Sequence, residues 1–422
     1  MSLSEKNNLD LSRYVALGDS VTSGYADGAL FHAGQQNAYS CLISQQFQTI
    51  TKSTFKQAFL NPDSVGIGFF GNSRMALKQA NDCSGTQALI PQYIAEHGDL
   101  AAFKVNHYSV DGPFNNIAVP GAKTISLITP GYGNPNNGSG NYNPFFTRMA
   151  SNPLTASVLS DALTINPSFF SLFIGNNDVL AFALSGGTID EVTPVSGPPG
   201  IGFKSSIITL VNALTANGAK GVIANIPDIT SIPHFTTIPY NGLLLDRTQA
   251  DALNEQYKHI DVQFHEGLNP FVLEDHSNSL GIRLATEKDM ILTEIMLDED
   301  KCNYFKAIKP IPKKYTLNAE EVSTIQNAIS AYNVCINSVT QHKGLAFVDV
   351  NSFVKTVTGD SVFSPKTCVI SYKKRSVFSL DGIHLSPFGQ AVLANTFIKS
   401  INSTYNSSIP YLSITKYAGI KF

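Results

Sequence analysis

The sequence predicts an α/β fold built on a mostly parallel sheet covered on both faces. Three observations carry that prediction. Short, fully apolar runs such as Phe169-Phe170-Ser171-Leu172-Phe173-Ile174 read as strands buried on both sides. Amphipathic stretches of helical period alternate with them, the rhythm of strand–helix–strand units. The 422 residues are 43% hydrophobic and 10% aromatic, which excludes a disordered chain and supplies a large core.

The elements follow in order. Tyr14-Val15-Ala16-Leu17 is a strand stopped at Gly18, and Gln35 to Phe47 reads as a helix. Asn116 to Ala122 reads as a strand ending in glycine at Gly121. The apolar run from Phe169 ends at Gly175, and Ile201 to Thr215 is a helix closed by Asn217-Gly218. Lys220 to Asn225 is the next strand, stopped by Pro227. Leu243 to Phe264 and Glu320 to Gln341 have helical period, and Leu345 to Asp349 is a late strand. Ser386 suits an N-cap with Pro387 at the first helical position, opening a last helix to about Ile401. Pro130 to Pro144 and Gly186 to Gly200 are loops by their Gly, Pro and Asn content. Asn269 to Leu317 breaks the rhythm and is expected to be an inserted subdomain or lid within one domain spanning the chain. No fixed-period repeat is present.

Composition narrows the function classes. The net charge of −3 gives no basic face for nucleic acid, and no apolar run is long enough to span a bilayer. Only 14% of residues are charged, against roughly 25% in average proteins, which points to an exported or envelope protein. Met1 to Asn8 shows no apolar h-region, so export requires a signal already removed, and a cytoplasmic location stays open. Cys41, Cys83, Cys302, Cys335 and Cys368 contain no C-x-x-C pair, so no zinc or redox motif is written. Their odd number leaves at least one free thiol. Buried, inert thiols are the first reading and a single disulfide the alternative.

Four short motifs carry chemistry. Gly18-Asp19-Ser20 follows a strand, at the sheet end where catalytic groups gather in open α/β folds. A serine hydroxyl there needs a base to become a nucleophile. Asp381-Gly382-Ile383-His384 precedes the last helix, and a turn of that length lets the carboxylate reach the imidazole. Gly175-Asn176-Asn177-Asp178 offers an amide at a strand end that can donate to a developing oxyanion. Gly121 lets a backbone N–H approach a reacting centre with no Cβ in the way. Each motif alone reads as an ordinary turn or cap.

In this order, the four motifs resemble the blocks of the SGNH (GDSL) hydrolases. The resemblance implies a flavodoxin-like three-layer α/β/α sandwich and a serine ester hydrolase of lipase or esterase type. It implies Ser20 as nucleophile, His384 as general base and Asp381 as its orienting partner. The oxyanion hole would be the Ser20 and Gly121 N–H groups and the Asn177 side chain. Asn177 is preferred to Asn176 because the family block is Gly-x-Asn-Asp. No metal or cofactor is implied, and the substrate would be a small-molecule, lipid or sugar ester. Val21 replaces the usual leucine, and the separations between blocks are long for a compact member, so insertions shape the pocket. An acyltransferase with the same triad, or a non-catalytic glycan-binding module, are the alternatives.

Other features are set aside. Gly66-Ile67-Gly68-Phe69-Phe70-Gly71 fits G-x-G-x-x-G by letter, but turn residues precede it where a dinucleotide site needs a strand. No G-x-S-x-G elbow and no H-E-x-x-H is present. Lys306, Lys309, Lys313, Lys314 and Lys373-Lys374-Arg375 read as solvated surface rather than a basic rim for anionic head groups. The remaining histidines show no paired ligand spacing and read as surface or structural.

Overall fold

The computed structural model describes residues 9–421 except Asp190, Asp261, Asn278 and Thr358. The reading of Met1 to Asn8 lies outside them.

Four parallel strands form the central sheet: β1 (Tyr14–Gly18), β2 (Phe169–Phe173), β3 (Lys220–Ala224) and β4 (Ala346–Val348), side by side in that order. Every residue of β1 and β2 is buried, as apolar runs packed on both faces require. The Asn115–Val119 segment continues the sheet beyond β1, with Ile117 donating to the Ala16 carbonyl and Val119 to that of Gly18. It is not the regular strand expected there, because the pairing is a single bridge between Ala16 and Asn116. The Asn115 and Asn116 side chains instead bond backbone carbonyls at Tyr14 and Thr22.

The principal helices are α1 (Ser20–Ser23), α2 (Tyr39–Gln48), α3 (Asn177–Leu184), α4 (Phe203–Thr215), α5 (Ala319–His342) and α6 (Pro387–Tyr405). Helix α6 packs on α2 and against β3 and β4, whereas α5 packs on α4 and against the same two strands. The two helix pairs therefore cover opposite faces, giving three layers. Ser386 caps α6 by accepting from the Gly389 N–H, with Pro387 in the first turn.

Two helix expectations need correction. Gln35 to Phe47 is interrupted at Asn37-Ala38, where the Asn37 amide bonds back to the Ala33 carbonyl and Ala38 turns extended. Leu243 to Phe264 is not one helix. Leu243–Leu245 pairs as a strand with Gly267–Asn269, and Asp246 caps a shorter helix over Arg247–Gln256. The Asp246–Gln249 capping box starts that helix at Arg247, inside the stretch whose helical period suggested continuity.

Beside the main core lies a second one, gathered from Ile238 to Tyr315 together with Phe363, Cys368 and Ile370. It includes most of the 269–317 stretch and extends past its N-terminal side, built on short antiparallel pairs rather than long helices. Cys83 and Cys302 are joined in a disulfide, clamping this lobe to the Met75–Asn81/Gln87–Tyr93 hairpin region, while Cys41, Cys335 and Cys368 are free. A disulfide was the alternative reading of the cysteines, and inert thiols throughout are corrected by it. No helix among the described residues is long and apolar enough to cross a membrane.

Candidate active site

β1 ends at Gly18 with no room for a side chain, since a Cβ there would lie 2.1 Å from Thr22 Oγ1 and 2.5 Å from the Phe173 carbonyl oxygen. Asp19 then caps α1, its Oδ1 accepting from Val21 N–H, while its Oδ2 accepts from Asn176 Nδ2 at 2.8 Å. Burial pushes the Asp19 carboxyl up to about 6. This tight turn presents Ser20 at the C-terminal end of the sheet.

His384 comes from the far end of the chain. Its Nε2 lies 2.9 Å from Ser20 Oγ and its Nδ1 2.8 Å from Asp381 Oδ2. With Nδ1–H donating to the carboxylate, Nε2 is left as the acceptor of the serine proton. Asp381 is held by further donors: Ser379 Oγ–H and the N–H groups of Ile383 and His384 on Oδ1, and Gly28 N–H on Oδ2. Burial alone would raise its carboxyl, but the facing His384 and these donors hold it well below the usual carboxylate range. Ser20 is 3% and His384 5% exposed, so the pair is nearly sealed from bulk water.

The other predicted residues surround the serine. Gly121 has φ +77° and a Cβ there would meet the Phe69 ring at 2.8 Å, so both conformation and space call for glycine. Neither the Ser20 N–H nor the Gly121 N–H donates to any protein acceptor among the described residues. Asn177 Nδ2 donates to the Ala122 carbonyl at 3.1 Å, which leaves its second N–H uncommitted. Asp178 fastens the two blocks together, its Oδ2 accepting from Thr124 N–H at 2.7 Å and Thr124 Oγ1–H at 2.9 Å. Burial pushes this carboxyl up to about 6 as well.

Several neighbours escaped the sequence reading. Tyr25 packs on His384 with ring centroids 4.6 Å apart and stacks on Phe69 at 5.0 Å. Phe69 belongs to the glycine-rich stretch set aside as a nucleotide motif, and its signal was two phenylalanines where such a loop has none. Asp27, with φ +52°, accepts from Leu380 N–H, and its own N–H donates to Ser379 Oγ. Buried His234 touches the Asp381 carbonyl with Nδ1 at 3.2 Å and Thr293 of the second lobe at 3.0 Å. Burial lowers its imidazole to about 4. Nothing in local sequence marks Asp27 or His234. The lysines of the second lobe have partners: Lys309 pairs with Asp300, Lys313 with Glu321, and Lys306 donates to the Cys83 carbonyl. No group of three or more metal-ligating side chains occurs among the described residues.

Solved structures similar to the chain include an extracellular lipase from Streptomyces rimosus, at 14% identity over 93% of this chain and 98% of that one, TM-score 0.34. An acetyl xylan esterase from Geobacillus stearothermophilus is similar at 11% identity, over 92% and 93%, TM-score 0.33. No curated protein sequence matches significantly. The model of the GDSL-like lipases and acylhydrolases matches residues 14–397, nearly the whole sheet-and-helix scaffold, and the chain belongs to that family of ester-cleaving hydrolases.

Proposed function

We propose that the protein hydrolyses carboxylic esters through an acyl-enzyme on Ser20. The observation that carries this reading is the continuous relay Ser20 Oγ–His384 Nε2–Asp381 Oδ2, at 2.9 and 2.8 Å, beside two uncommitted backbone N–H groups.

The steps follow from these positions. His384 Nε2 takes the Ser20 proton as Oγ attacks the ester carbonyl, and Asp381 stabilises the imidazolium. Negative charge collects on the carbonyl oxygen, where Ser20 N–H, Gly121 N–H and Asn177 Nδ2–H donate to it. His384 returns its proton to the departing alkoxide, leaving an acyl-Ser20 ester. Water, deprotonated by the same Nε2, attacks that ester and releases the acid and free Ser20. The fixed donors supply stabilisation without reorganisation, which in a nearly dry site is where hydrogen bonds to charge are strongest.

The second lobe acts in this reading as a subdomain that backs the Asp381 loop through Thr293 and His234. The Cys83–Cys302 disulfide supports an oxidising, exported setting.

The test is Ser20→Ala assayed on p-nitrophenyl butyrate, with a fluorophosphonate probe on both proteins. The wild type is expected to hydrolyse the ester and take up the probe at Ser20, and the variant to lose both. Wild-type turnover in the variant would reject the mechanism.

A further inference from the structure

Against Ser20 and His384 lies a small cavity of about 50 Å³ whose lining is almost wholly hydrocarbon. Phe173, Leu180, Ile229, Ile232, Phe353 and Val354 contribute to its walls. The polar side chains that reach it are Ser20, His384 and Asn176, and one N–H of the Asn176 amide is donated to Asp19. No Asp, Glu, Lys or Arg borders it.

We infer that this cavity is the acyl pocket and that it selects short, unbranched aliphatic acyl groups of up to about five carbons. The inference rests on the acyl-Ser20 reading above. A space with so few hydrogen-bond partners suits neither a sugar nor a charged head group, most of whose polar groups would be left unpaired. It suits a hydrocarbon chain. Of the two halves of an ester, the alcohol must leave after the first step while the acyl group stays until water arrives. A recess beside the nucleophile therefore serves the half that stays, and the polar alcohol departs through the mouth.

Size sets the chain length. One water-sized centre occupies roughly 10–15 Å³, so the cavity holds about four non-hydrogen atoms beyond the carbonyl carbon on Ser20. Isoleucine and valine branching makes these walls stiff at χ1, and Phe173, Ile232 and Val354 are buried within a packed core. Longer chains meet packed side chains rather than open solvent.

A series of p-nitrophenyl esters from acetate to palmitate tests this. Each methylene that enters the pocket is expected to raise kcat/KM roughly fourfold, the usual return for burying one CH₂. The value should therefore climb on the order of tenfold from acetate to butyrate, and fall at least as far again by octanoate. The partly exposed Phe353 allows a second test without gutting the core: Phe353→Ala should raise the octanoate-to-butyrate ratio about tenfold. A value that stays flat, or climbs through octanoate to palmitate, overturns the pocket, and an unchanged ratio in Phe353→Ala overturns its wall. Ser20→Ala separates the two readings. If it abolishes hydrolysis of every ester while the chain-length profile is flat, the pocket is wrong and the nucleophile stands. If it retains hydrolysis, the nucleophile itself is wrong.

Discussion

Asp381 receives hydrogen bonds from three backbone N–H groups, a serine hydroxyl and the His384 imidazole, so its carboxylate is held in one orientation. Asp381→Asn should preserve the turn but favour the wrong imidazole tautomer, lowering kcat on the order of 10⁴-fold. Steady-state kinetics alongside circular dichroism would check it, and a loss below tenfold would deny Asp381 its role. Asp27 poses a different question. Burial pushes its carboxyl from an ordinary 3.8 up to about 6, so the folded protein holds that proton longer than the unfolded chain. Its contribution to stability is full below about pH 4 and lost as pH rises toward 6. Asp27→Asn keeps the acceptor for Leu380 N–H and removes the ionisation. The variant should match wild type at pH 4 and melt about 1–4 °C higher at pH 7. A lower melting point at pH 7 would show that the ionised carboxylate is the stabilising form.

At the scale of elements, the site depends on turns more than on the strands that lead to them. Ser386 caps α6 two residues after His384, accepting from Gly389 N–H and donating to the Ser376 carbonyl at 2.6 Å. Ser386→Ala removes both bonds. Urea unfolding should register a loss of about 1–2 kcal/mol, and kcat should fall with it because the His384 turn is anchored there. An unchanged midpoint would show that water replaces the cap. The same logic explains where element reading succeeded. Strands β1, β2 and β3 and helices α4, α5 and α6 were legible because buried runs and amphipathic periods persist over several residues. Asn37 ended one helix and Asp246 started another inside stretches that periodicity read as continuous, because a side chain bonding the nearby backbone outweighs a hydrophobic pattern.

For the molecule as a whole, the second lobe is held by its own core and by one covalent clamp. The Cys83–Cys302 bond closes a loop of 219 positions. Cys302→Ser should therefore cost about 2–5 kcal/mol, read as a lower thermal midpoint, and dithiothreitol should lower the wild-type midpoint similarly while leaving the variant unmoved. Equal midpoints for reduced and oxidised wild type would show that the lobe is held by packing alone. Because Thr293 touches His234 and His234 touches the Asp381 carbonyl, loosening this lobe is expected to reach the Asp381–His384 turn.

By itself the sequence determined the sheet-and-helix alternation and the four blocks that hold Ser20, Gly121, Asn177, Asp381 and His384. These are legible because each is a local pattern: a buried run has its period, and a turn has its required residue types. Only the tertiary structure decided which side chains meet across the fold. It brought Phe69 over Gly121, Tyr25 onto His384, Asp27 behind Ser379 and a ring of apolar residues around the cavity beside Ser20. The reason is physical. Contacts between residues hundreds of positions apart follow from how whole elements pack, and a phenylalanine that lines a site has the same local signature as one that fills a core.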